Sequence, residues 1–267
     1  VLIVGGGATG AGCALDAATR EGNLKVACIE RGDFASETSS RSTKLIWAGI
    51  RYLATASVSL LSPQLFTNPI ETAKDFVGEI KMVMNCHRER RYMTDKQQHL
   101  TNWVPIAVPF SAWHVSPPPF NHKLFGFFPV LAPLVFKIYD GMSGFSCPSS
   151  YVMGKEKARR LFPQLSGRMI KYCAVFFEAQ HNDSRTNIAI ALSAAEHGAD
   201  IGNYVEMTGV LWEGKKAVGL TAKDRMTNQE MKIWSNNIIF AGGPFTDGMR
   251  AMEHEGATST ESTKLED

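Results

Sequence analysis

"VLIVGGGATGAGCALDAATREGNLKVACIERGDF", residues 1–34, reads as strand, turn, helix, turn, strand. Val1 to Val4 is a short, wholly apolar run rich in β-formers, as in a parallel strand buried on both faces. Gly5-x-Gly7-x-x-Gly10 follows at once, and Ala11 to Arg20 is rich in helix formers. Gly22-Asn23 breaks that helix, and Lys25 to Ile29 forms a second apolar strand that ends on Glu30. The spacing has a physical reason. Gly5 permits the tight turn, Gly7 lets a pyrophosphate approach the backbone, and Gly10 lets the helix pack close to the sheet. The helix start offers N–H groups and the positive end of its dipole to phosphates. Glu30 stands where it can accept hydrogen bonds from ribose hydroxyls. The pattern therefore predicts dinucleotide binding, without separating FAD from NAD.

The totals fit such a reading. The chain has 267 residues, 44% hydrophobic and 20% charged, enough for one large domain or two small ones. A net charge of +2 gives no nucleic-acid footprint, which needs a basic face. The five cysteines, Cys13, Cys28, Cys86, Cys147 and Cys173, include no C-x-x-C pair and are expected as buried thiols in a reducing compartment. No metal-ligand spacing is present: the histidines are scattered and lack H-E-x-x-H.

After the acid, a nicotinamide enzyme usually continues with another helix. This chain gives "GDFASETSSRSTKLIWAGIRYL", residues 32–53, a cluster of hydroxyls and cations that could bind a second phosphate or be a solvated loop before a helix. Here the sequence resembles the FAD-dependent glycerol-3-phosphate dehydrogenases, nearer the mitochondrial branch than the bacterial one. Two later stretches carry the same resemblance: "FFEAQHNDSRTNIAIALSAAEHGADIGNYVEM" at 176–207 and "IIFAGGPFTDGMR" at 238–250. The resemblance implies a single extended FAD held by Gly5, Gly7, Gly10 and Glu30, with Ser39, Ser40, Arg41, Ser42, Thr43 and Lys44 along its pyrophosphate and flavin end. It further implies Gly49 beneath the flavin ring, Val205 against the adenine, and Gly242 and Gly243 where the phosphates or ribityl chain lie on the backbone. Arg51 and Tyr52 would face the substrate, where a guanidinium fork suits an anionic, oxygen-rich molecule. One position departs from the family: Trp47-Ala48-Gly49 stands where it reads His-Gly-Gly. An indole has one donor and no group that titrates near neutral pH.

The middle of the chain is less explicit. Residues 54–100 carry helical patterning, and "HRERRY", His87 to Tyr92, is expected as a solvated face or as a contact for anionic lipid or substrate phosphate. "WVPIAVPF" at 103–110 alternates like a strand. "LFGFFPVLAPLVFKIY", residues 124–139, is intensely apolar yet too short for a membrane span, which leaves a core segment or a monotopic membrane surface. "YVMGKEKARRLFPQL", 151–165, is expected to be a helix closed by Pro163. In "QHND", 180–183, His181 and Asp183 are expected to serve structure or helix entry rather than catalysis. Residues 184–198 read as a helix with Ser184 as N-cap and Gly198 as its end. "DIGNYVEMTGVL" then gives a short strand, and "AVGLTAKDRMTNQEMKIW" a hairpin.

The expected fold is α/β: a glutathione-reductase-like FAD-binding Rossmann domain, parallel sheet plus hairpin, from residues 1–55 and 176–250. Residues 56–175 form part of a second, mixed substrate domain, and 251–267 a disordered polar tail. The resemblance implies oxidation of sn-glycerol 3-phosphate to dihydroxyacetone phosphate, with quinone as electron acceptor and peripheral seating on the mitochondrial inner membrane. The chain opens inside a strand without Met, and the family continues past the point matching Arg250, so it is expected to be the N-terminal portion of a longer protein. Two alternatives stay open: a non-catalytic FAD-binding fragment, and another flavin oxidoreductase of the amine or hydroxy-acid oxidase type.

Overall fold

The computed structural model describes residues 1–50, 52–53, 67–110, 128–165 and 170–263. They divide into two units, Val1–Lys44 with Asn182–Asp267, and Leu45–His181. The division falls at 44/45 and 181/182 rather than at 55/56 and 175/176.

The first unit is built on a four-stranded parallel sheet. Strand β1 (Leu2–Val4) lies between β11 (Ile238–Phe240) and β2 (Ala27–Ile29), and β2 in turn pairs β7 (Asp200–Gly202). The apolar run at the front of the chain supplies both faces of this sheet. Leu2 and Val4 point one way and meet Ile29, Met207, Leu220 and Ala222; Ile3 points the other way and meets Ala14, Cys28 and Ala194. That alternation is the period of two that a strand imposes. Helices α1 (Ala8–Thr19) and, further along, Asp183–Glu196 supply Ala14 and Ala194 to the second face. The first face is covered by an antiparallel sheet of β8 (Val205–Glu213), β9 (Lys216–Asp224) and β10 (Glu230–Trp234). The stretch read as one short strand is therefore two, β7 and β8. Tyr204, in the left-handed region at φ 56°, turns the chain between them.

The second unit is antiparallel. Its long strand β6 (Tyr172–His181) pairs β3 (Leu45–Ile46), β4 (Thr101–Phe110) and β5 (Tyr151–Gly154). Alternate residues of β6 go to opposite faces. Ala174 and Phe176 join Ala48, Leu53, Phe136 and Tyr139, whereas Cys173 and Val175 join Met153 and Ala158. The helices of this unit are α2 (Pro69–Lys96), α3 (Phe128–Met142) and α4 (Lys155–Leu161). The stretch 151–165, expected as one helix, is β5 followed by α4, because Tyr151–Gly154 extends the ladder beside Tyr172–Val175. In α3, Phe136 and Tyr139 enter the core, while Leu134 and Ile138 are exposed. Residues 111–127, which include the front of the apolar segment, lie outside the described residues.

Two helices of the first unit differ from expectation at their ends. Helix α5 (Asp183–Glu196) is capped by Asn182, whose side chain accepts from the Arg185 N–H, and not by Ser184. Its far end closes as expected: Gly198 has φ +89°, and the Gly198 and Ala199 N–H groups donate to the Ala195 and Ala194 carbonyls. Of the tail expected to be disordered, residues 251–263 belong to α6 (Thr246–Thr263), and residues 264–267 lie outside the described residues. Met249 and Met252 pack this helix against the first core, and a helix anchored at its start extends by one hydrogen bond per added residue. Among the described residues no helix is long and apolar enough to cross a membrane.

Candidate functional site

The cavity of the first unit, about 400 Å3, opens at the carboxyl ends of β1 and β2. This is the position where open parallel sheets bind ligands. Its walls are the β1–α1 turn (Gly5, Gly7, Ala8), the end of β2 (Glu30, Arg31), residues 35–39, the start of β8 (Val205) and the turn after β11 (Gly242, Gly243).

The turn is built as its glycines require. Gly5 sits at φ +112°, a conformation L side chains rarely adopt, and a β-carbon there would lie 2.9 Å from the Ala241 carbonyl carbon. A β-carbon on Gly10 would overlap the Gly5 carbonyl oxygen and stand 3.0 Å from its carbon. The first turn of α1 thus lies directly on the loop, with no room for a side chain between them. Gly7 is the N-cap and contributes no side chain, so the N-terminal N–H groups of α1 open towards the cavity wall. One of them, on Ala8, donates to the Ser39 hydroxyl at 2.9 Å.

Glu30 is held at the end of β2 by the backbone. Its carboxylate accepts from the Gly6 N–H at 2.6 Å and from the Gly32 N–H at 2.8 Å. The Val205 N–H donates to the Glu30 carbonyl at 2.8 Å, which sets β8 beside the acid. Arg31, the next residue, lays its guanidinium 3.8 Å over the Phe245 ring, and both line the cavity. Sequence reasoning passed over this pair. A cation directly after the acid, with an aromatic directly after Gly-Gly-Pro, is the signal available for it.

The residues expected along the cofactor are distributed unevenly. Gly5, Gly7, Glu30, Ser39, Val205, Gly242 and Gly243 line the cavity, and Gly10 supports the loop from behind. Ser40, Arg41, Ser42, Thr43 and Lys44 are not among the lining residues. Ser40 donates to the Glu37 carbonyl, and Arg41 makes an exposed pair with Glu37 at 3.4 Å. Ser42 and Lys44 both bond Asp183, the first residue of α5, and Thr43 is exposed. Burial pushes the Asp183 carboxyl up, but hydrogen bonds from Lys44, Ser42 and Ser184 outweigh it and hold the group well below the usual carboxylate range. Asp183 thus serves helix entry and ties residues 42–44 to α5.

The remaining expected residues belong to the second unit. Arg51 lies outside the described residues. Tyr52 is exposed, with its ring 5.5 Å from that of Trp47. Gly49 is buried at φ +88°, where a β-carbon would meet Val83 at 3.3 Å and Tyr52 at 3.4 Å. Behind this turn the unit holds a polar cluster that corrects the reading of "HRERRY" as a solvated face. Arg90 and Glu178 are each 1% exposed and form an ion pair. Glu178 also accepts from the Tyr139 hydroxyl at 2.7 Å and the Ala48 N–H at 3.3 Å. The His87 ring is buried and lies 3.0 Å from Arg90 through Nδ1. Burial, then the Arg90 charge, pulls its pKa down to about 4, so at neutral pH the ring is neutral and Nδ1 accepts from the guanidinium. Burial and the adjoining Glu178 push the Tyr139 phenol up, which keeps it a donor. Arg88, Arg91 and Tyr92 of the same stretch remain exposed, as expected of a solvated face.

The glycine cradle, the half-buried acid and the helix start fit an adenine dinucleotide. Among the described residues no group of His, Cys, Asp or Glu could hold a metal ion. Comparison with known proteins points to FAD as that dinucleotide. The sequence matches the FAD dependent oxidoreductase family over residues 1–261. It is 39% identical over 260 residues to the mitochondrial glycerol-3-phosphate dehydrogenase of Mus musculus, covering 95% of this chain and 32% of that protein. To the enzyme of the same name from Saccharomyces cerevisiae it is 35% identical, covering 95% of this chain and 35% of that protein. The chain thus spans about a third of the length of the curated relatives it matches. Among solved structures, the fold is similar to that of the glycerol-3-phosphate dehydrogenase from Bacillus halodurans complexed with FAD. There the TM-score is 0.59 and the identity 24%, with 94% of this chain and 35% of that one covered. It is also similar to L-proline dehydrogenase from P. horikoshii, with a TM-score of 0.54 and 14% identity over 94% of this chain and 54% of that one. The chain belongs to the FAD dependent oxidoreductase family.

Proposed function

We propose that this chain binds FAD along the β1–α1 turn and forms part of an enzyme that oxidises sn-glycerol 3-phosphate to dihydroxyacetone phosphate. The observation that carries the reading is the similarity, over nearly the whole chain, to mitochondrial enzymes of that name. The cavity at the strand ends supports its cofactor half.

In this reading Glu30 presents carboxylate oxygens to the ribose hydroxyls while its backbone partners keep it in place. The start of α1 and Ser39 meet the diphosphate, and Val205, Gly242 and Gly243 let the backbone lie against the rest of the nucleotide. Bound flavin would accept the C2 hydrogen of the substrate as a hydride at N5. The hydroxyl proton must pass to a base, and Trp47 cannot take it because an indole is a donor only. Arg51 is assigned to the substrate phosphate and Tyr52 to its hydroxyls. A quinone acceptor and a place on the inner mitochondrial membrane surface belong to the same reading.

The visible spectrum of the purified chain tests it. Flavin absorption that bleaches on adding glycerol 3-phosphate is the expected result, and a folded, colourless protein overturns it. One observation favours a second reading: the chain spans only a third of its relatives' length. A flavin spectrum that no substrate bleaches would identify a cofactor-binding portion without turnover of its own.

A further inference from the structure

Asn187 lies on α5, 2% exposed, and its amide has an unequal set of partners. Nδ2 donates to the Gly6 carbonyl at 2.8 Å, whereas Oδ1 is buried with no hydrogen-bond partner among the described residues. A leucine would fill such a helix–loop contact without stranding an acceptor, and an orphaned buried acceptor costs about 1–3 kcal/mol. The polar side chain is therefore tied to something packing alone would not require, and its one partner among the described residues is the middle glycine of the cofactor loop.

We propose that Asn187 is a positioning residue for the cofactor's diphosphate, acting through the Gly6–Gly7 peptide. The peptide is planar and trans, so the Gly6 carbonyl and the Gly7 N–H point in opposite directions. Asn187 draws the carbonyl towards α5, and the Ala35 N–H holds the same oxygen at 3.1 Å. The Gly6 N–H is fixed by Glu30 at 2.6 Å. With both ends of Gly6 held, the Gly7 N–H is turned away from α5, on the side where Gly7 and Ala8 line the cavity. A phosphate oxygen arriving there meets a donor already aimed, and pre-orientation of this kind lowers the cost of binding.

The inference rests on FAD occupying the cavity, and one titration series separates the two. Binding of FAD, ADP and adenosine to the full chain is measured for wild type, Asn187→Leu and Asn187→Asp, FAD by flavin fluorescence and the others by calorimetry. Asn187→Leu should weaken FAD and ADP about tenfold, the scale of one lost hydrogen bond, and leave adenosine unchanged. Asn187→Asp should weaken them further, because an ionised carboxylate faces the Gly6 carbonyl and cannot donate. If Asn187→Leu fails to fold, Asn187→Ser, too short to reach Gly6, must show the same split. Unchanged FAD and ADP binding in the variants overturns the proposal alone, as does a loss shared equally by adenosine, which marks a purely structural role. A wild-type chain that binds neither FAD nor ADP overturns both this proposal and the functional reading.

Discussion

Glu30 and Glu178 are the same side chain at work in two different sheets. Glu30 ends a parallel strand, where the chain leaves the sheet and the side chain opens on the crevice. It is half-buried, and its carboxylate accepts from backbone amides of the turns beside it. Glu178 sits inside antiparallel β6 and faces the core, where water cannot reach it. Burial pushes its carboxyl up, against the pull of Arg90, Tyr139 and the Ala48 N–H. The contrast teaches that the position on the strand, not the residue type, decides whether an acid is offered to a ligand or consumed by the fold.

The largest effect should come from splitting the Glu178 ion pair. Glu178→Ala leaves the Arg90 guanidinium buried without its charge partner, which costs about 3–5 kcal/mol. Urea unfolding followed by circular dichroism should show the second unit melting far earlier than in wild type. Replacing both partners with leucine should recover part of the loss: no charge stays buried, but the Tyr139 hydroxyl and the Ala48 N–H lose their acceptor. If Glu178→Ala were as mild as a surface change, Glu178 would be solvated like Glu30 and the contrast would fail.

The two halves of this comparison were not equally legible in the sequence. The glycine loop could be read because each glycine answers a local demand: Gly5 for a left-handed turn, Gly10 for the helix lying on Gly5. The Arg90–Glu178 pair answers a demand 88 positions away, and a charged stretch such as "HRERRY" looks solvated until its partner is known. A weak signal was present. Val83, His87, Arg90 and Thr94 share the spacing of one helix face, and all four are buried. Glu178 is likewise a lone acid in the apolar run of β6. Ser42 and Lys44 also have a distant partner. The hydroxyls and cations of residues 40–44 resemble a phosphate site, and Ser42 and Lys44 are bonded to Asp183, a pairing no local pattern announces.

A smaller effect should appear on acidification, and it sharpens the comparison by unit. His87 has a folded pKa near 4, below its unfolded value of 6.5. A lowered pKa means that the unfolded chain takes up the proton first. The contribution is present above the unfolded value and lost as pH falls from about 6.5 towards 4. The Asp183 contribution is also of the lowered kind, but it fails only below the unfolded carboxylate range. Melting temperature should therefore fall across pH 6.5–4 in wild type, and less steeply in His87→Phe. Each kcal/mol of difference would appear as about 2–4 °C. Asp183→Asn should follow wild type over that window and diverge only in stronger acid. Parallel slopes for wild type and His87→Phe would mean that folding leaves the His87 pKa unshifted and that the imidazole is solvated.

The smallest effect tests a single hydrogen bond at the entry to α5. Asn182 Oδ1 accepts from the Arg185 N–H at 3.1 Å and from the Ser184 hydroxyl at 3.2 Å, both at an exposed helix start. Water can replace these partners when the side chain is cut back, so Asn182→Ala should cost only about 1 kcal/mol in chemical unfolding. Asn182→Asp should lose almost nothing, because a carboxylate caps equally well and suits the positive end of the helix. Ser184→Ala should be milder than Asn182→Ala, since Ser184 donates to the cap and does not supply it. The reverse order would restore Ser184 as the residue that starts the helix. It would also detach helix entry from Asp183, whose carboxylate accepts the Ser184 N–H at 2.8 Å and binds residues 42–44 to the same turn.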